Sequence, residues 1–162
     1  MKKENQLTKN AISSILKDSN FDDSDKIKAL ETLNTKEKNN PVNQGLIQIA
    51  IDNLKIKIIK SKSNLICKNK KTNDIQKIEA LEELKKRYSD KSPTSSPMQK
   101  VLANLEYVLV NLKIRSIVEN EMFEQEERID FLKSLQDNQV FEGELYDLIQ
   151  KTINEIIPIE LI

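Results

Sequence analysis

Seven lysines fall within seventeen residues that contain no acid: Lys55, Lys57, Lys60, Lys62, Lys68, Lys70 and Lys71. A cluster of ammonium groups attracts polyanions, so the phosphates of nucleic acid or an anionic membrane surface are the first chemistry to consider. The stretch has no aromatic ring to stack on a base and no arginine for a two-pronged bond to one. Nucleic acid is therefore not the expected partner. An acidic protein surface, or plain hydration of a lysine-rich segment, accounts for the same residues. The opposite sign gathers later, in Glu119, Glu121, Glu124, Glu126 and Glu127, with Asp130 beside them. These acids suit a basic surface, and they equally suit the start of a helix, where the macrodipole favours negative charge.

The chain carries few of the groups that do bond-making chemistry. It has no histidine, which excludes histidine-based triads and histidine-containing zinc sites. Cys67 is the single cysteine, so neither a cysteine metal cluster nor an internal disulfide can form. Nucleophilic catalysis there would need an activating base, and the flanking Leu65 and Ile66 mark it instead as a small apolar side chain. Gly45 and Gly143 stand alone, so no phosphate-cradling loop or dinucleotide fingerprint exists. Asp22, Asp23 and Asp25 lack the glycine and later glutamate of a calcium loop, and helix capping explains them. Adjacent acids such as Glu82 and Glu83 point to different sides of a helix and do not converge. Ser92-Pro93 and Ser96-Pro97 resemble proline-directed phosphorylation sites, although loop and cap chemistry requires the same residues. No catalytic residue, cofactor or metal is expected, and the chain is not expected to be an enzyme.

What must position these charges is a set of helices. Lys26-Ile27-Lys28-Ala29-Leu30-x-x-Leu33 recurs as Lys77-Ile78-Glu79-Ala80-Leu81-x-x-Leu84 and as Arg128-Ile129-Asp130-Phe131-Leu132-x-x-Leu135. The step is 51 residues both times, and a fixed period of this order marks stacked supersecondary units. With 2 Gly and 4 Pro among 162 residues, the tight turns of a β-sandwich or barrel cannot be supplied. The sequence predicts an all-α fold in one domain, residues 1–162. A helix over 6–17 is followed by three α-hairpin repeats, at about 22–62, 73–120 and 124–156, stacked as an α-solenoid. A closed helical bundle is the alternative. Apolar spacing places helices from about Asn43 to Lys60 and from Ser96 to Asn120, with Ser61 to Lys71 as a long connector between units. Lys55-Ile56-Lys57-Ile58 also alternates with period two, which keeps a short strand open there. Asn111-Leu112-Lys113-Ile114 matches Asn53-Leu54-Lys55-Ile56 at a step of 58, as though the later helix carried an extra heptad.

The net charge of zero hides an asymmetry. Residues 1–81 hold 16 lysines and 10 acids, a net of +6, and residues 82–162 carry the reverse, −6. Two ends of opposite sign fit two kinds of charged partner. The lone cysteine fits a reducing compartment, the N-terminus has no apolar run of the kind a cleaved signal needs, and no stretch is long and apolar enough to span a membrane. A cytoplasmic protein is expected.

The lysine-, asparagine- and glutamate-rich helical texture, with the units at Lys26 to Leu33 and Lys77 to Leu84 and the apolar tail Ile156 to Ile162, resembles the small all-helical effectors that intracellular bacteria translocate through type IV systems. Such effectors have a glutamate cluster close before the tail, where this chain has only Glu155 and Glu160. The resemblance implies a binder or regulator of another protein, delivered to a host cytosol without a cleaved signal peptide. The function expected is thus non-enzymatic protein binding by a helical-repeat effector or regulator. The alternatives are a self-assembling structural protein, pairing through the Leu and Val stripe of residues 98–112, and an anionic-surface binder acting through Lys55 to Lys71.

Overall fold

The structure, a computed structural model, describes residues 2–89, 95–139 and 143–157. Every regular element among them is an α-helix: α1 (Lys2–Lys17), α2 (Asp23–Lys36), α3 (Pro41–Lys68), α4 (Asp74–Ser89), α5 (Ser96–Val118), α6 (Gln125–Asp137) and α7 (Glu144–Ile156). The chain separates into two compact units, Met1–Asn64 with Lys91–Val101, and Leu65–Asp90 with Leu102–Ile162. The helices α3 and α5 contribute residues to both. Ser92-Pro93 and the tail from Pro158 lie outside the described residues.

Lys55 to Ile58, where a short strand was the alternative, is helix as the longer window predicts, and the predicted connector over Ser61 to Lys71 is mostly helix too. The apolar stripe of α3 runs Ile47, Ile51, Leu54 and Ile58, all buried, and continues at half-buried Ser63 and Ile66. Ser63 occupies a stripe position with a polar side chain, which interrupts the apolar pattern in the sequence. Its hydroxyl donates to the Lys60 carbonyl (3.2 Å), so the polar group costs the helix little. At the other end Asn40 caps α3, its Oδ1 accepting from the Asn43 N–H (3.1 Å), and Pro41 takes the first helical position, where a missing N–H leaves nothing unpaired. The cap of α5 sits one residue before the predicted Ser96: Ser95 Oγ accepts from the Met98 N–H (3.4 Å).

Three joints between helices repeat at the 51-residue step. Asp18, Asn69 and Asn120 each accept, through the side chain, from the backbone N–H two residues on, at 2.9, 3.0 and 2.9 Å. Four residues after each comes an N-cap. Asp22 Oδ1 accepts from the Asp25 N–H (2.8 Å). Asn73 and Gln76 bond reciprocally, at 2.9 and 3.1 Å. The Glu124 N–H donates to Glu127 Oε2 (2.9 Å) in a capping box. Short polar side chains bonding their own backbone are what turn a chain out of one helix and start the next.

The helices begun by these caps bury the same position. Leu30, Leu81 and Leu132 are each 0 % exposed, while Ile27, Ile78 and Ile129 are all half-buried. In the first unit Leu30 lies in a core of Ile47, Ala50, Ile51 and Leu54, with Ile12, Ile15, Ile27 and Leu33 against it. In the second, Leu132 packs with Val110, Ile149 and Ile153, flanked by Ile114, Ile129 and Ile156 among others. Sealing a leucine this fully contributes about 1.5–3 kcal/mol. The first residue of each capped helix then ties to the helix that follows. Asp23 pairs with Lys57 (3.3 Å), Asp74 with Arg115 through two bonds (2.7 and 2.6 Å), and Gln125 Nε2 donates to the Ile156 carbonyl (2.5 Å).

The first two of these bonds set which positions of α3 and α5 correspond, Lys57 of the one to Arg115 of the other. Asp23 and Lys57 are 34 residues apart, Asp74 and Arg115 41. The difference of seven is two helical turns, which leaves the same face of the helix at the contact. It accumulates in the longer α4, the wider sequence interval before α5 and the earlier start of α5, and α3 makes it up again by running on from Lys57 to Lys68.

Candidate functional site

The lysine segment is built on α3 and the joint after it. Four of its lysines belong to the first unit and three to the second. At 100° per residue, Lys55 and Lys62 lie on one side of α3 and Lys57 and Lys60 nearly opposite, so these four do not make a stripe. Lys57 is held by Asp23, and Lys55 is half-buried. Lys60 and Lys62 are exposed, as are Lys68, Lys70 and Lys71 around the α3–α4 joint.

Glu119, Glu121, Glu124, Glu126 and Glu127 are all exposed. Two of them have a local task, since Glu124 and Glu127 form the capping box of α6. Glu119 and Glu121 flank Asn120, which turns the chain out of α5. Among the described residues no three acidic or cysteine side chains converge where they could hold a metal. Cys67 is exposed.

Two features lay beyond the sequence patterns. In the first unit the Glu37 carboxylate accepts from the Thr8 hydroxyl and from Asn43 Nδ2, both at 3.1 Å. Thr8 and Asn43 are buried, and Asn43 Oδ1 is enclosed with no hydrogen-bond partner. A buried carboxamide with an unmet acceptor costs stability, so this knot fixes the approach of α1 and the α2–α3 turn at some expense. Isolated polar residues at single helical positions gave no signal of it.

The second feature is an exposed apolar position on α3 and a corresponding one on α5. On α3 the exposed face carries Val42, Gly45 and Ile49, with Ile49 60 % exposed. Fifty-eight residues on, the register set by the Asp23 and Asp74 pairs puts Ala103 and Tyr107 of α5 in the same places, with Tyr107 40 % exposed. In the second unit this face borders two hollows against α7, of about 590 and 630 Å³. Tyr107 lines both. The larger also touches Ala103, Glu106, Glu144 and Leu145, and the smaller Val108, Ile114, Val118, Glu119, Thr152 and Glu155. Of the charges here, Glu106 pairs with Lys85 and Arg115 with Asp74. Glu119, Glu144 and Glu155 have no ion-pair partner among the described residues.

Much of the Leu and Val stripe of α5, on which the self-assembling alternative rests, packs within the chain. Met98, Val101, Leu105, Leu109 and Leu112 are buried. What α5 leaves outside is the Tyr107 face. Among the described residues no helix is long and apolar enough to cross a membrane. No family model matches this chain, and no curated protein or solved structure matches it significantly.

Proposed function

We propose that this chain is a non-enzymatic, protein-binding array of helical repeats, which holds a partner through the exposed faces of α3 and α5 that carry Ile49 and Tyr107. Three hairpin modules of about 51 residues, stacked as a solenoid after an N-terminal helix, are the form we assign to it, because the joints, caps and sealed leucines at positions 51 residues apart are those of copies of one module. Stacked modules of this sort present extended surfaces, and a chain with no histidine and one cysteine is better suited to contact than to covalent chemistry. In such a role it acts as an effector or regulator, altering a partner by covering part of its surface.

The observation that carries this reading is the matched exposure of Ile49 and Tyr107. Each is a large apolar side chain turned outward at the same register of its helix, while the stripe on the other side is buried. Aromatic and aliphatic anchors among exposed polar groups are typical of binding faces. A photo-crosslinking amino acid placed at 49 or 107 should give discrete adducts in lysate of cells that contain the partner, and the same group at Lys86 on α4 should not. Absence of adducts from both faces, or equal labelling at Lys86, would refute the proposal.

A further inference from the structure

The hollows bordering α5 and α7 have an apolar floor and acidic ends. Tyr107, Val108, Ile114 and Val118 supply the floor. Glu119 and Glu155 close one end, and Glu144 stands with Glu106 at the other. Arg115, which also lines the smaller hollow and feels the charge of Glu119, is already held by two bonds to Asp74. From Ala103 to Glu119 the floor follows α5 for sixteen residues, roughly 24 Å at the helical rise.

We infer that this groove takes a basic amphipathic helix of a partner protein, about sixteen residues long. Its apolar side rests on Tyr107, Val108, Ile114 and Val118, and its Lys or Arg residues reach Glu119, Glu155 and Glu144. The inference rests on the protein-binding function proposed above and specifies its partner. A helix laid in an apolar groove is a common way for one protein to hold another. Here the sign of the charge selects among such helices: an acidic helix would set its carboxylates against unpaired glutamates, and a neutral one would leave those glutamates unmatched. The lysine-rich segment of a second copy is a poor occupant, because the apolar side of α3 is buried in its own chain.

The test uses the full-length chain and two synthetic sixteen-residue helices with one leucine stripe, the polar positions lysine in one and glutamate in the other. Calorimetric titration at low salt should show saturable binding of the lysine peptide and none of the glutamate peptide. Reversing the two exposed acids (Glu119→Lys with Glu155→Lys) should weaken the lysine peptide at least tenfold, as should Tyr107→Ala. The Glu79→Lys variant, altered on an exposed site of α4, should bind as the parent does. Failure of the lysine peptide to bind, equal binding of both peptides, or indifference to the double reversal would each overturn the inference. So would sedimentation showing a dimer that the same reversal dissolves, which would put a second copy in the groove. If the peptide arm fails while crosslinks form at Ile49, only the groove assignment falls. If crosslinks are absent at both 49 and 107, the protein-binding function falls with it.

Discussion

Asp74 and Arg115 form the best-defined ion pair among the described residues, and its acidity follows from its geometry. The hydrogen bonds from Arg115 hold the Asp74 carboxyl below its ordinary value; burial pushes the other way, and the charges of Arg115 and Lys77 add to the lowering. A carboxyl whose folded pKa is depressed stabilises the fold above its unfolded pKa, near 4, and loses that contribution as pH falls through the folded value. Both side chains are partly exposed, so the contribution is small. Asp74→Asn should cost about 0.5–1 kcal/mol at pH 7, and the gap to the parent should close as urea unfolding is repeated toward pH 2. The sealed leucines matter more. Leu81→Ala should cost about 2–5 kcal/mol, with Leu30→Ala and Leu132→Ala in the same range, because each leaves a cavity as well as losing burial. Met122→Ala, at a side chain 86 % exposed, should change the urea midpoint by no more than about 0.5 kcal/mol equivalent. Similar losses at the three leucines would fit copies of one module, and a negligible loss at any one of them would count against it.

At the scale of the helix, the caps and the glycine of α3 are the points of leverage. Asn73 makes both bonds of its cap, so Asn73→Ala should cost about 1 kcal/mol and raise amide exchange in the first turn of α4. Gly45 works the other way. A Cβ built there meets nothing within 4 Å, and Gly in a helix interior is worse than Ala by about 0.5–1 kcal/mol. Gly45→Ala should therefore raise stability by about that amount in urea unfolding. Most helix starts were readable from the sequence, because caps act over three or four residues and leave their side chains in plain view: the aspartates at 22–25, Asn73 and the acids at 124–127. The end of α3 was not. Ser61 to Lys68 reads as a polar connector, since its serines and lysines hide the fact that Ile66 returns to the buried side two turns after Ile59. A helix carried forward by its neighbours does not need to advertise itself in composition.

For the molecule as a whole, the opposite charges of residues 1–81 and 82–162 bear on the proposed binding. A partner held against exposed glutamates should be released by salt, whereas one held through Tyr107 should be less sensitive. Raising sodium chloride from about 50 to about 300 mM should thus weaken the complex severalfold, with Debye screening falling below about 10 Å over that range. Tyr107→Ala should weaken it at both concentrations, and titration of the captured partner across that range would separate the two terms. The lysines form a dense run of one charge in the sequence, but on α3 they are spread around the helix and one is already paired with Asp23. The acids at 119–127 form a group in the sequence, yet Glu124 and Glu127 serve a cap, and Glu119 alone of the five borders the groove. Nothing local relates Tyr107 on α5 to Glu144 and Glu155 near the two ends of α7, so the sequence did not bring them together.

The sequence by itself determined the helices, their caps and the leucines they bury. Each of these is written in contacts between residues a few positions apart, where spacing and side-chain type suffice. Tertiary structure decided which face each helix keeps outside, and that no local pattern can encode. The outward turn of Tyr107 and the border it shares with Glu155 exist because α7 packs its Ile149 and Ile153 on the same core as Val110 of α5, two helices earlier in the chain.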